Sequence, residues 1–204
     1  MPNDVNLAVI IPAAGRSQRM GCLKPLLPFG HETMIERVVR VGREAGINEI
    51  VVVLGCGAER IIPLLEDHGI AWLLNPDFDD GMYTSVQIGV RSLDAEAHGF
   101  LVLPGDMPMV SSTTLRLLRD GFPPGQGRIV HPTYQGRRGH PPLIDSAYRR
   151  PILGDYPHGG LRELLARYPD AALEVDCDDP GILMDVDTPE AYQRCLSLMA
   201  SRSD

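Results

Sequence analysis

Four short apolar runs, each followed by a segment with helical periodicity, constrain the fold of this chain more than any other feature. The runs are Leu7–Ile11, Glu49–Leu54, Ala71–Leu74 and Gly99–Pro104. Apolar runs of this length are typical of strands that are buried on both faces of a sheet. Strands that alternate with helices form a parallel sheet with helices on both faces. The sequence therefore predicts a three-layer α/β/α, Rossmann-like fold with a mostly parallel central sheet.

The segments between these runs carry helix signals. Thr33 and Glu36 form a capping-box pattern, which predicts that a helix begins at Met34 and extends to about Ala45. After Asp77 the chain begins as a polar loop and continues as a helix with Val86, Val90 and Leu93 on its buried side. Shorter helices are predicted at Ala58–Leu65 and Thr113–Arg119.

Beyond Arg128 the pattern becomes less regular. Strands are predicted at Arg128–Pro132 and at His140–Ile144, and the second should lie at a sheet edge because it contains two prolines. The stretch Arg149–Gly160 is rich in proline and glycine, so we expect a loop over the site. Further predictions are a helix at Leu161–Tyr168, strands at Ala172–Val175 and Ile182–Val186, and a last helix begun by Thr188 with Pro189 at its first position.

The first apolar run opens into a glycine-containing loop that carries three cations. Gly15 and Gly21 let the backbone turn and approach a ligand, while Arg16, Arg19 and Lys24 supply positive charge. The spacing matches neither G-x-G-x-x-G nor G-x-x-x-x-G-K-[ST]. The loop is suited to a polyphosphate, although a surface connection with solvated arginines would produce the same pattern.

The string around this loop is longer and more specific than its glycines. The residues P-A-A-G-R-S-Q-R-M-G-x-x-K-P-L-L-P, at Pro12–Pro28, resemble the signature of single-domain nucleotidyltransferases. The resemblance is closest to the molybdenum cofactor cytidylyltransferase group of the MobA-like NTP transferases. Sugar-phosphate nucleotidyltransferases and methylerythritol-phosphate cytidylyltransferases share the first half of this string. A second string, N-P-x(4)-G-M-x-x-S at Asn75–Ser85, resembles the molybdenum cofactor group and favours it.

Two aspartates follow predicted strands at positions suited to metal binding. Asp106 lies in L-x-G-D-x-P and Asp187 in D-x-D-T-P-E, and both strings are similar to the metal-binding strings of the family. In a parallel sheet both carboxylates would face the crevice that contains the first loop. The resemblance implies that they hold Mg²⁺, although either could instead cap a turn or a helix. Asp185 should point the other way, because side chains alternate along a strand.

The resemblance also implies which residues contact the nucleotide. Arg16 and Lys24 fall on triphosphate-contacting positions and, with Asp106 and Asp187, are the expected catalytic residues. Arg19 is also expected at the nucleotide, although it could instead brace the loop. The remaining expected nucleotide-binding residues are Pro12, Ala13, Ala14, Gly15, Ser17, Gly55, Asn75, Ser85, Pro104 and Gly105.

A basic turn in the second half is similar to an acceptor-binding turn of the same group. The string G-R-R-G-H-P at positions 136–141 resembles G-x-R-G-x-P. We assign no general-base role to the histidine, because an attacking phosphate is already ionised near neutral pH. The group usually shows G-D-x-G-A-R further on, whereas this chain spreads those residues over Gly154–Arg162. The expected acceptor-binding residues are Gly81, Met82, Arg138, Gly139, His140 and Pro141.

The resemblance implies a Mg²⁺-dependent nucleotidyltransferase that moves CMP from CTP to the phosphate of molybdopterin or a related cofactor. Three alternatives stay open: another phosphorylated acceptor, GTP as the donor, and a nucleotide-binding protein that delivers cofactor without turnover. A transient contact with a molybdoenzyme or its chaperone is also expected. We expect one domain over residues 1–204, with a nucleotide-binding half at about 7–125 and an acceptor-binding half at about 126–204.

The composition and charge bear on possible partners and on the cellular location of the protein. The formal net charge of -8 disfavours nucleic-acid binding, because the overall field repels polyanions. The four cysteines form no C-x-x-C pair, which favours a reducing compartment over a disulfide framework or a zinc site. No apolar run approaches membrane-spanning length, and the first residues lack a secretory pattern. We therefore expect a cytoplasmic protein.

Overall fold

A computed structural model describes residues 5–154 and 158–201 of the chain. The strands are β1 (Leu7–Ala13), β2 (Pro28–Phe29), β3 (Glu32–Thr33), β4 (Glu49–Leu54), β5 (Ala71–Leu74), β6 (Gly99–Val102), β7 (Ile129–Tyr134), β8 (Arg137–Arg138), β9 (Leu143–Asp145) and β10 (Ala172–Asp176). The α-helices are α1 (Met34–Glu44), α2 (Ala58–Asp67), α3 (Met82–Ser92), α4 (Ser112–Asp120), α5 (Arg149–Gly154), α6 (Gly160–Ala166) and α7 (Pro189–Ser201).

One large sheet organises these elements, in the strand order β10–β7–β9–β6–β1–β4–β5. Strand β1 pairs in parallel with β4 and β6, and β4 pairs in parallel with β5. Strand β9 is antiparallel to both of its neighbours, whereas β7 and β10 are parallel to each other. The short strand β8 folds back onto β7, and β2 and β3 form a separate hairpin. The predicted α/β/α architecture with a mostly parallel sheet is therefore confirmed.

Side chains from the two faces of the sheet enter two separate cores. Residues of β1 alternate between them, so that Val9 packs with α1, α2 and α4 while Ile10 packs with α3, α5 and α6. Val9 and Ile10 are both fully buried, as expected for a central parallel strand. A third cluster joins the β2–β3 hairpin to α7 through Phe29, Met34 and Cys195. The third cluster holds the last helix beside the first loop.

Several elements agree with the sequence prediction. Strands β4 and β5 have the predicted bounds, and β1 extends two residues further, to Ala13. The Thr33 hydroxyl accepts from the Glu36 amide while the Glu36 carboxylate accepts from the Thr33 amide, so the capping box of α1 is present. Thr188 caps α7 by accepting a hydrogen bond from Ala191 N.

The prediction of an edge strand at His140–Ile144 was wrong. Strand β9 contains Leu143–Asp145 and lies in the interior of the sheet, between β6 and β7. Pro141 and Pro142 precede the paired residues, so their missing N–H groups interrupt no ladder. The Pro142 carbonyl even accepts a hydrogen bond from Val102 N.

Two further segments differ from their predicted structure. Pro180–Leu183 forms a 3-10 helix, and the residues up to Asp187 pair with no strand within the described chain, so the predicted strand at Ile182–Val186 is absent. Arg149–Gly154 forms α5, which packs against α3 rather than over the site, where a loop was predicted. Positions 155–157, which complete that predicted loop, lie outside the described residues. Among the described helices, none combines the length and the apolar character needed to cross a membrane.

Candidate active site

A cavity of about 150 Å³ opens at the carboxyl ends of β1 and β6. This is the sheet edge where ligands bind in open parallel sheets. Gly105 N donates to the Pro12 carbonyl at 3.0 Å, which draws the two chain segments together beyond their strands. The cavity is lined by Pro12, Ala13, Ala14, Gly15, Ser17, Lys24, Pro25, Phe78, Met82, Ser85, Pro104, Gly105 and Asp106.

Three charged residues meet at one side of this cavity. The Lys24 ammonium donates to Asp106 Oδ2 at 2.7 Å and to Asp187 Oδ1 at 2.8 Å. The lysine side chain is only 14% exposed, and the two aspartates are 27% and 35% exposed. The Lys24–Asp106–Asp187 cluster thus joins three distant parts of the chain in a partly desolvated position.

Backbone contacts explain how the cluster forms without the predicted late strand. Val186 N donates to the Asp106 carbonyl at 2.8 Å, which places Asp187 next to the loop that follows β6. Lys24 N donates to Ser17 Oγ at 3.2 Å and fixes the end of the glycine-containing loop. Asp187 therefore reaches its expected place from an irregular segment rather than from a parallel strand.

The ionisation of the cluster follows from its contacts. Burial works to lower the pKa of Lys24, but the two carboxylates outweigh it and raise this pKa above its ordinary value. The Lys24 hydrogen bond, opposed by burial and assisted by Arg19, lowers the pKa of Asp187. At neutral pH the lysine and Asp187 are therefore charged, as a site for anionic and cationic ligands requires.

The cluster offers two carboxylates to a divalent cation, and among the described residues no group of three or more His, Cys, Asp or Glu side chains is placed to hold one. One oxygen of Asp106 and one of Asp187 converge on the same cationic nitrogen, within 2.8 Å of it. Carboxylate oxygens are the ligands that Mg²⁺ and Mn²⁺ prefer in proteins. A metal at this place would require Lys24 to move toward other anions, because the ammonium lies between the two carboxylates.

Arg16 and Arg19 belong to the same loop but have different partners. Arg19 pairs with Asp187 at 3.0 Å and is 72% exposed. Arg16 makes two hydrogen bonds with Asp79, at 2.7 and 2.5 Å, and its guanidinium carbon lies 5.4 Å from the centre of the Phe78 ring. The structure therefore brings Arg19 to the Lys24–Asp106–Asp187 cluster but holds Arg16 apart from it.

Most of the other predicted nucleotide-binding residues line the cavity, and two do not. Asn75 is buried and donates to Thr84 Oγ1 and Ser85 Oγ, so its amide supports the start of α3. Gly55 lies beneath Phe78. The cavity-lining residues that were predicted are Pro12, Ala13, Ala14, Gly15, Ser17, Lys24, Ser85, Pro104 and Gly105.

The sequence analysis missed two residues that line the cavity, Pro25 and Phe78. Phe78 is an aromatic residue inside the acidic loop D-F-D-D-G, and this unusual position is a signal that could have indicated it. Pro25 belongs to the 3-10 helix Lys24–Leu26 and is buried. No local pattern separates Pro25 from an ordinary turn proline.

The predicted acceptor-binding residues are divided between two places. Met82 lines the cavity and is 52% exposed, directly after Gly81. Arg138 on β8 pairs at 2.7 Å with Glu174 on β10, another strand that pairs with β7. Burial lowers the pKa of His140, against the opposing effect of Asp106, so its ring is neutral at neutral pH. Gly139 packs against the Ile182 carbonyl, and Pro141 is buried.

A mostly parallel sheet with a cavity at its carboxyl edge, a glycine-containing cationic loop and two converging carboxylates is the arrangement expected of the nucleotidyltransferase class of protein. Residues 9–172 match the family model of the MobA-like NTP transferase domain. The chain belongs to this family.

Two curated relatives differ in their reactions. The chain is 32% identical to the nicotine blue oxidoreductase of Paenarthrobacter nicotinovorans, over 92% of this chain and 95% of that protein. It is 29% identical to the molybdenum cofactor cytidylyltransferase of Escherichia coli K12, over 90% and 92% of the two chains. Family membership is therefore compatible with more than one chemistry.

Two solved structures have the same fold. A nucleotidyl transferase from Methanothermobacter superposes with a TM-score of 0.84 at 24% identity, covering 97% of this chain and 99% of that one. The Rv0371c protein of Mycobacterium tuberculosis H37Rv, in complex with manganese, superposes with a TM-score of 0.77 at 25% identity, covering 94% and 98%.

Proposed function

We propose that this protein transfers CMP from CTP to the phosphate of molybdopterin and releases pyrophosphate. The observation that carries the proposal is the Lys24–Asp106–Asp187 cluster beside the cavity. Nucleotidyl transfer needs no protein nucleophile, because it depends on alignment and on neutralisation of phosphate charge. Hydride transfer, by contrast, gives no chemical reason for two carboxylates to converge on one lysine.

The residues of the cavity have distinct parts in this reaction. An acceptor phosphate oxygen bonds to the α-phosphorus of CTP while the bond from that phosphorus to the bridging oxygen breaks. Pyrophosphate leaves with the electron pair. Lys24 balances negative charge on the phosphate oxygens, and Asp106 and Asp187 would hold the metal. When bound, Mg²⁺ supplies Lewis-acid stabilisation of these oxygens.

The relatives support two parts of this proposal. The molybdenum cofactor cytidylyltransferase of Escherichia coli suggests CTP and the acceptor, and the manganese complex of Rv0371c suggests a divalent metal. Within this proposal, residues 7–125 bind the nucleotide and residues 126–204 the acceptor. A cytoplasmic location and a transient contact with a molybdoenzyme or its chaperone belong to the same proposal.

The test is release of pyrophosphate from CTP in the presence of molybdopterin and Mg²⁺. Asp106→Asn and Asp187→Asn should each lower the rate at least 100-fold, because each removes charge from the expected metal site. Asp185→Asn is the matched control, since this exposed carboxylate lies two residues from Asp187 and outside the cluster. Its rate should stay within about twofold of the wild-type rate.

The outcomes separate the alternatives. Activity with another acceptor or with GTP would keep the reaction class and change the substrate. Binding of CTP without pyrophosphate release would indicate a delivery protein. Because one relative is a nicotine blue oxidoreductase, the same preparation should also be tested for reduction of nicotine blue. Reduction of the dye that survives Asp106→Asn would overturn the proposal.

A further inference from the structure

A clasp formed by Arg16, Phe78 and Asp79 closes one side of the cavity. Two guanidinium nitrogens of Arg16 bond to the two carboxylate oxygens of Asp79. These residues are 63 positions apart in the chain, so the pair joins the glycine-containing loop to the segment that precedes α3. The bidentate contact fixes the distance between the two loops.

Phe78 lies at the centre of the clasp and forms part of the cavity wall. Its ring packs so closely on Gly55 that a Cβ added there would lie 2.7 Å from Phe78 Cγ. From the other side, the Arg16 guanidinium lies 5.4 Å from the ring centre, within the range of a cation–π contact. The aromatic ring therefore covers Gly55, which is one of the expected nucleotide-binding residues.

The chemistry of the clasp indicates what could open it. A planar guanidinium that binds a carboxylate through two parallel hydrogen bonds binds a phosphate in the same way. The Arg16 and Asp79 side chains are 50% and 58% exposed, so the pair is accessible to a competing anion and is easily exchanged. A phosphate can thus replace Asp79 as the partner of Arg16.

We propose that Asp79 competes with the triphosphate of the nucleotide for Arg16. Its carboxylate binds the Arg16 guanidinium until phosphate oxygens of the nucleotide replace that carboxylate. Arg16 then turns toward the cavity, and the segment that carries Phe78 loses its contact with Arg16. This inference rests on the proposed nucleotide binding. Asp79 would accordingly set the affinity for CTP without taking part in the chemistry.

The experiment is calorimetric titration of CTP and of inorganic tripolyphosphate into the wild type and four variants. Asp79→Asn should bind both ligands about two- to fivefold more tightly, because Arg16 no longer has a charged internal partner. Asp77→Asn removes the same charge from the same loop without touching the clasp, so its affinity should match the wild type. In the Arg16→Ala background, adding Asp79→Asn should change nothing.

Each deviation from this result contradicts the clasp. If Asp79→Asn and Asp77→Asn gained equally in ligand affinity, or if Asp79→Asn still raised the affinity in the Arg16→Ala background, general electrostatic repulsion would explain the effect without the clasp. Failure of the wild type to bind either ligand would overturn both the clasp and the proposed function. Tight binding with no pyrophosphate release would remove only the proposed reaction, because the titrations still test the clasp.

Discussion

Gly55 illustrates how a single residue shapes the cavity wall. A Cβ at this position would lie 2.7 Å from Phe78 Cγ and 2.8 Å from the Ala14 carbonyl oxygen. The aromatic ring can rotate away, but the backbone oxygen cannot move without shifting the end of β1. The absence of a side chain at Gly55 is therefore a packing requirement.

We predict that Gly55→Ala lowers the free energy of unfolding by about 1–3 kcal/mol, the usual cost of overpacking. Gly15→Ala is the control, since within the part of the chain that the structure describes no atom lies within 4 Å of its added Cβ, and its backbone is not left-handed. Chemical denaturation of the two variants measures the difference. An equal loss of unfolding free energy in Gly55→Ala and Gly15→Ala would show that the close contact at Gly55 does not affect stability.

The charged residues of the site could be predicted from the sequence, and their partners could not. Lys24, Asp106 and Asp187 were expected at one place, and the structure brings them together. Arg16 was expected at the triphosphate, but nothing local in the sequence indicates that Asp79 would hold it. Such pairings depend on loop positions in space, which short motifs do not encode.

Helix α3 depends on close contact with the central strand. Gly89 is buried in this helix, and an added Cβ would collide with the Ile10 side chain of β1. The contact between Gly89 and Ile10 lies on the face of the sheet that α3, α5 and α6 cover. The small residue thus sets the distance between the helix and the sheet.

We predict that Gly89→Ala destabilises the protein by about 1–3 kcal/mol, although alanine favours helices more than glycine does. The control is Gly154→Ala in α5, where no atom of the described residues lies within 4 Å of the added Cβ. That substitution should be neutral or slightly stabilising, since only helix propensity and backbone entropy change. Thermal unfolding distinguishes the two variants, and a stabilising effect of Gly89→Ala would refute the packing argument.

At the level of elements, the regular first half could be predicted better than the second. Parallel strands that are buried on both faces leave clear apolar runs, as in β1, β4 and β5. Strand β9 is only three residues long, and the prolines before it suggested an edge. The segment Ile182–Val186 before Asp187 is mostly apolar, but it begins within a 3-10 helix and pairs with no described strand. A short apolar run of this kind cannot be told from a strand by its sequence alone.

The stability of the whole molecule should depend on pH through a half-buried histidine in the sheet. His131 lies on β7 opposite Glu174, with Arg138 on the adjacent hairpin strand. Burial, with help from Arg138 and His140 and against Glu174, lowers its pKa to about 4. The folded state therefore favours the neutral imidazole.

Below the ordinary pKa of about 6.5, the unfolded chain binds a proton at His131 that the folded chain does not. This contribution to stability is complete above pH 6.5 and is lost as the pH falls toward 4. Because the ring is partly exposed, we expect the loss to be about 1 kcal/mol.

The measurement compares denaturant unfolding at pH 7 and at pH 4.5. His131→Gln should lose less stability between the two values than the wild type does, because the substituted side chain cannot be protonated. The exposed His31→Gln is the control and should keep the wild-type difference. An unchanged difference in His131→Gln would remove this residue from the acid response.

The distance along the chain between the members of the charged cluster has a consequence for how the protein is made. Lys24 and Asp187 are 163 positions apart, so the ribosome completes the glycine-containing loop long before it adds Asp187. Until then the lysine has at most one of its two acidic partners, so a chain that ends before Asp187 cannot form the complete Lys24–Asp106–Asp187 cluster.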